Sequence, residues 1–357
     1  MHCPSLPSSQ SEDGLLEEDL ARCLYGQYDG GGVLAVAMDG TNLVASSGRE
    51  GGVKIFKLLT SSRELKLIGE VLATPNNRIL VTCLKFDSLG RLYMGGQDGH
   101  LRMVDLSSCN DVDKVDVNSM QVKLTSCFEQ KQQQSVPTPT SSSILSLDIS
   151  EELEMVATAH GNGVICIYSL NHDNQQCDDA NLYLGRWNPF RETTHARSVA
   201  FISSNGESYD EKEERNESSN DDVLWSVVAG GGNGELWLGD IEPSYCSNDA
   251  PTVRQVVSTS ALKPVIILDS IQQIKPNHQG PVLSLATRPG GILVSAGHDG
   301  MLRVTQIRPT PTALYGLGGY KVWLGNICID SEGRRLLSDG RDDVVVVHDF
   351  SNVLEDE

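Results

Sequence analysis

Aromatic side chains are scarce in this chain: phenylalanine, tryptophan and tyrosine together make up 5% of its 357 residues. Helix-period segments are scarce too, so a core must come from many short aliphatic strands. No stretch approaches the roughly 20 consecutive apolar residues of a membrane helix. The opening MHCPSLPSSQSEDGLLEEDL lacks the basic flank and unbroken apolar run of a secretory leader. None of the nine cysteines forms a CxxC pair. An odd set with Cys83, Cys166 and Cys328 inside strand patterns reads as free thiols packed as small apolar groups in a reducing compartment. The expectation is an intracellular protein, cytoplasmic or nuclear, with no membrane contact.

Positive charge is also in deficit. Lys and Arg number 28 against 48 Asp and Glu, a formal net charge of −20 at pH 7. Nucleic-acid backbones and anionic membranes bind basic patches, so neither is an expected partner; an acidic surface is compatible with a basic protein partner and is also explained by solubility alone. Catalytic signatures are missing as well: there is no G-x-S-x-G, no H-E-x-x-H and no G-x-x-x-x-G-K-[ST]. The runs Gly30-Gly31-Gly32 and Gly230-Gly231-Gly232 lead into no helix with a following lysine, so they read as turns or strand ends. His160, His298 and His348 stand singly, which argues against a metal site. No catalytic residue, metal or cofactor is expected.

Glycine, by contrast, is frequent at 34 residues, and it punctuates a segment that recurs six times. Each copy has an apolar first strand, a polar turn, a small-residue second strand, a tight turn and a third strand. The clearest copies are Val81 to Leu106 and Val282 to Ile307. The first strands carry apolar residues at relative positions 1, 4 and 6, as in Val33/Val36/Met38, Val81/Leu84/Phe86 and Ile144/Leu147/Ile149. The second strands read LVASSG, LYMGGQ, MVATAH, SVVAGG, ILVSAG and LLSDG, whose small side chains point to close approach of neighbouring sheets. The tight turns fall at Glu50-Gly51, Asp98-Gly99, Asn162-Gly163, Asn233-Gly234, Asp299-Gly300 and Asp342-Asp343. Asp-Gly and Asn-Gly tolerate positive φ in two-residue hairpins, so Asp98, Asn162, Asn233, Asp299 and Asp342 are read as structural turn residues. One such unit cannot bury its own faces, so the copies must stack into an array.

Fourth strands are expected at Glu64 to Ile68, Val115 to Leu124, Leu182 to Arg186, Val265 to Leu268 and Ala313 to Leu317. The sixth copy ends at Phe350, and Leu20 to Tyr28 is the natural donor of its missing outer strand. Third strands ending VDL, GDI and HDF behind Asp-Gly or Asn-Gly turns resemble the WD-repeat β-propeller family over roughly residues 20 to 350. The family's tryptophan position is filled by Phe56, Val104, Tyr168, Gly239, Thr305 and His348, and its leading histidine matches only His195 and His278. The expected fold is all-β: a propeller of four-stranded antiparallel blades, six rather than seven, closed by an N-terminal strand. With His278, Ser295 and Asp299 present but Thr305 replacing tryptophan, the resemblance implies at most a partial buried network in the fifth blade.

The domain reading is a flexible tail over 1–19, one propeller over 20–350 and an acidic tail over 351–357. Disordered insertions are expected near 129–143, which is Pro- and Ser/Thr-rich, and near 207–222, which is strongly acidic. The resemblance places the connections into the first strands together on the narrower face. Here they carry Arg78, Trp187, Phe190, Arg191, Arg197, Tyr320, Lys321 and Trp323, aromatic and arginine anchors of the kind found at interaction hot spots. The implied function is a non-catalytic scaffold that binds a protein or peptide on that face, as a monomer within a larger complex. A ubiquitin-ligase substrate receptor is an alternative, although the Trp-Asp-x-Arg adaptor box is absent, and a propeller hydrolase or oxidoreductase is a further one.

Overall fold

The computed structural model describes residues 32–59, 64–71, 79–106, 142–170, 183–191, 194–203, 225–242, 266–318, 320, 323–330, 332–339 and 344–350. The chain divides into two compact units, 1–96 with 102–126 and 97–101 with 127–357. The fold is all-β and of the six-bladed propeller class: each sequence copy forms one antiparallel sheet. In the first unit, β1 (Val33–Met38), β2 (Leu43–Gly48), β3 (Val53–Leu59) and β4 (Glu64–Val71) make one sheet. β5 (Val81–Phe86), β6 (Arg91–Gly96) and β7 (Leu101–Asp105) make the next. Leu43, Ile55 and Ile68 of the first pack with Val81, Leu92 and Val104 of the second.

The second unit holds four sheets in succession. The third sheet is β8 (Ile144–Ser150), β9 (Met155–His160), β10 (Ile165–Ser169) and β11 (Tyr183–Trp187). The fourth is β12 (Ala196–Ser203), β13 (Trp225–Gly231), β14 (Leu236–Asp240) and β15 (Gln272–Ile274), and the fifth β16 (Val282–Arg288), β17 (Ile292–Gly297), β18 (Leu302–Gln306) and β19 (Thr312–Leu317). The sixth shows β20 (Ile327–Ile329), β21 (Arg335–Asp339) and β22 (Val345–Asp349). First strands lie side by side, β8 against β12, β12 against β16 and β16 against β20. The apolar core sits between successive sheets: Ile165 and Ile167 meet Val199 and Phe201, Val228 and Leu238 meet Val282 and Leu293, and Val294 and Val304 meet Ile327 and Leu336. Each large side chain buried this way contributes roughly 1.5–3 kcal/mol.

The 1-4-6 spacing of the first strands has a structural cause. In five copies the strand bulges after its first residue, between Val33 and Ala35, Val81 and Cys83, Ile144 and Ser146, Ala196 and Ser198, and Val282 and Ser284. A bulge sets two residues against one, so positions 1 and 4 return to the same face. Ala196, Val199 and Phe201 accordingly share one cluster, as do Val81, Leu84 and Phe86.

Several expectations are corrected in detail. The outer strand of the fourth sheet is Gln272–Ile274, not Val265 to Leu268; Ile266 makes only an isolated bridge to Ile241 before a 3-10 turn at Leu268–Ser270. The tight turns are not two-residue hairpins with two positive φ angles. Only the glycines are left-handed, Gly99 at φ 82, Gly163 at 87, Gly234 at 84 and Gly300 at 69. The preceding Asp98, Asn162, Asn233 and Asp299 instead accept the N–H of the residue two further on through Oδ1, at 3.1–3.3 Å. Such side chains mimic a backbone turn, which leaves φ > 0 to glycine alone. The close approach expected of small second-strand residues holds at Gly230, where a Cβ would lie 2.8 Å from Val282 Cγ1 of the neighbouring sheet. The closing strand at Leu20 to Tyr28, the outer strand at Val115 to Leu124, the turn residue Asp342 and the acidic insertion lie outside the described residues.

Candidate functional site

Three loops entering first strands of the second unit are held to their sheets by hydrogen-bond networks, each containing a histidine. In the fifth sheet His278 comes from the loop before β16. Its Nδ1 meets Asp299 Oδ1 at 2.9 Å and its Nε2 meets Ser295 Oγ at 2.9 Å. A neutral imidazole fits this geometry, donating to the carboxylate and accepting from the hydroxyl. Burial pushes the His278 pKa below its ordinary value despite the opposing pull of Asp299. Burial raises Asp299, but the N–H groups of Gln279 and Met301 and the His278 ring outweigh it and hold the carboxyl low. The atoms are those of a Ser-His-Asp triad, here buried, with Ser295 and His278 at 0% and 3% exposure. The network therefore completes three of the four family positions, with Thr305 buried at the fourth.

The third and sixth sheets reach the same result with other residues. In the third, His160 stands at the end of β9 itself; Nε2 meets Thr158 Oγ1 and Nδ1 meets the Ser142 carbonyl, both at 2.9 Å. Burial depresses its pKa, partly offset by the Ser142 bond. In the sixth, the Tyr320 hydroxyl and His348 Nε2 are hydrogen-bonded at 2.6 Å, and the hydroxyl lies 3.4 Å from Ser338 Oγ. Burial lowers the His348 pKa. Tyrosine thus stands where the fifth sheet has its histidine, and histidine where the family has tryptophan. Neither network was legible from a motif, because Tyr320 and His348 differ in residue type from the family pattern and His160 differs in sequence offset.

The eight candidate partner-binding residues separate by burial. Trp187 closes β11 and Phe190 follows it, both buried in the core between the third and fourth sheets. A Cβ at Gly239 would lie 3.5 Å from Trp187 Cζ2 and 2.6 Å from Ile266 Cγ2, so these side chains fill the space that the family's tryptophan would take. A Cβ at Gly231 would likewise meet Phe190 Cε1 at 2.6 Å. Arg197 is the half-buried bulge residue of β12, and Arg191 is exposed with φ 47. Tyr320 is half-buried in its network. Arg78 and Lys321 lie outside the described residues. Trp323 differs from the other described aromatic candidates: it is 67% exposed, and its indole stacks on His298 with ring centroids 4.0 Å apart. The next residues fix its base, Leu324 N–H on the Gly297 carbonyl and Gly325 and Asn326 N–H on the Asp339 carboxylate. Sequence reading missed Asp39, Asp87 and Asp330, which brace the turns after the first strands by accepting backbone N–H groups through Oδ1. Cys83, Cys166 and Cys328 are free thiols, and no group of three metal-ligating side chains occurs among the described residues.

No protein-family model matches the chain, and no curated protein is similar to it in sequence. Solved structures are similar in fold. A chain of "COPII on membranes, outer coat vertex" superposes with a TM-score of 0.58 at 13% identity, over 90% of this chain and 71% of that one. A chain of "The structure of the COPII coat assembled on membranes" gives the same TM-score and identity over 90% of this chain, which spans only 39% of that one. At this identity the likeness establishes shared architecture.

Proposed function

We propose that the protein is a non-catalytic platform of the WD-repeat kind that holds a protein or peptide partner on the loop face of its second unit. The observation that carries this reading is Trp323, a large aromatic left mostly in solvent while its ring is stacked and the backbone that follows it is pinned. An exposed indole whose conformational freedom is already restricted loses little entropy on binding, the condition for a hot spot. The similarity to chains from coat assemblies supports a role within a larger complex. The residue composition supports an intracellular setting.

The test is affinity capture from native lysate with wild-type and Trp323→Ala protein, followed by affinity measurement on each recovered partner. Loss of a hot-spot aromatic weakens binding by about 2 kcal/mol, roughly 30-fold. Trp323 covers no core, so the variant should keep the wild-type unfolding midpoint. Partners that bind Trp323→Ala and wild type alike would remove this face from consideration.

A further inference from the structure

Four outer strands are described, and three are guarded against pairing with another chain. β4 carries Glu64, Lys66 and Glu70, β11 carries Arg186, and β15 is three residues long. Charge and brevity are the usual protections of a free edge. β19 has neither: it is six residues, TALYGL, without a charge, and Thr312 to Gly316 are all exposed. Leu314 and Tyr315 are 48% and 44% exposed. Its other edge pairs with β18, and among the described residues nothing pairs with its outward edge.

We propose that β19 is a strand-addition site, taking an extended neutral segment with basic flanks from a partner protein as a fifth strand of its sheet. Backbone N–H and C=O groups on the free edge would supply the hydrogen bonds, with Leu314 and Tyr315 giving apolar contact. Charge decides against a second copy as occupant. Two chains of net charge −20 repel. The same field attracts a segment flanked by lysine or arginine, while the uncharged strand imposes no penalty on neutral residues laid along it. This surface is independent of Trp323.

The probe is the peptide Lys-Thr-Val-Thr-Val-Thr-Val-Lys, with a glutamate-ended counterpart, added to the full chain at low ionic strength. Hydrogen exchange of the Thr312 to Leu317 amides should slow by about tenfold or more with the lysine-ended peptide, and not with the glutamate-ended one. Leu314→Lys should abolish the slowing with the unfolding midpoint unchanged, and Ala313→Lys serves if that variant misfolds. Trp323→Ala should leave it intact, which separates this site from the loop face. Protection absent or elsewhere, equal protection by both peptides, or persistence in both lysine variants would overturn the proposal. So would protection that grows with protein concentration in the absence of peptide, because the occupant would then be a second copy.

Discussion

Gly297 and His160 stand opposite the first residue of the inner strand in the fifth and third sheets, paired with Val282 and Ile144. A Cβ at 297 would collide with His278 Nδ1, so glycine there makes room for an imidazole arriving from the loop. At 160 the strand supplies the imidazole itself. One buried ring bonded to a second-strand hydroxyl is the common requirement, and the chain meets it from two directions. His278→Ala leaves Ser295 and Asp299 without their partner in a buried site, and should lower unfolding free energy by about 3 kcal/mol in denaturant titration. Adding Gly297→His to that variant transplants the third-sheet arrangement and should recover part of the loss; no recovery would show that the two networks are not interchangeable. Both histidines have depressed pKa values, so the native state favours the neutral ring. Protons then bind the unfolded chain first, and stability should fall as pH drops from the ordinary 6.5 toward the lower native values. Asp299 adds a second loss below 3.8, since its native pKa is depressed and its contribution is present only above that range. Unfolding midpoints between pH 8 and 5 should decline in wild type and decline less in His278→Ala, a pattern that a histidine-independent acid effect would not give.

At the scale of the element, the bulge explains which parts of the fold could be read from residues. The 1-4-6 pattern marks the first strands where the bulge is present, because apolar spacing records the bulged register even where the bulge itself is unseen; in the sixth sheet, which has no bulge, β20 is only Ile327–Ile329 and Leu324 lies ahead of it. Third strands were equally legible through their apolar runs. The outer strand of the fourth sheet was not, since Gln272–Ile274 is short and polar, whereas Val265 to Leu268 has the apolar composition of a strand and forms only one bridge. Trp187 was misplaced on the binding face for a related reason: nothing local tells that Gly239, in the following sheet, leaves a space for its ring. Trp323 lies in a loop as expected, but its stacking on His298 from the adjacent sheet is set by tertiary structure and has no local sequence signal. The register argument gives a deletion test in β16. Removing the bulge residue Leu283 leaves Val282 opposite Gly297 and Ser284 opposite Ala296, so the protein should fold with a small loss. Removing Ala286 instead turns either Leu285 or Thr287 to the opposite face, which should cost roughly 3 kcal/mol or more. Equal destabilisation by the two deletions, measured by denaturant unfolding, would show that the bulge is structurally required.

For the whole molecule, charge and protonation act on different properties and over different pH ranges. A net charge of −20 keeps copies apart at pH 7, and the isoelectric point of about 4.7 is where that repulsion vanishes. The buried histidines begin to oppose folding nearer 6.5. Acidification therefore weakens the loop networks while the molecule is still strongly anionic, and only later removes the barrier to association. The uncharged β19 edge, unprotected by any charge of its own, relies on that global repulsion more than the edges carrying Glu64 or Arg186 do. Light scattering should accordingly stay low from pH 7 to about 6 and rise as pH approaches 4.7. Leu314→Lys should delay the rise even though it makes the net charge less negative and moves the isoelectric point upward. A faster rise in that variant would mean that net charge alone governs association and that the β19 edge takes no part in it.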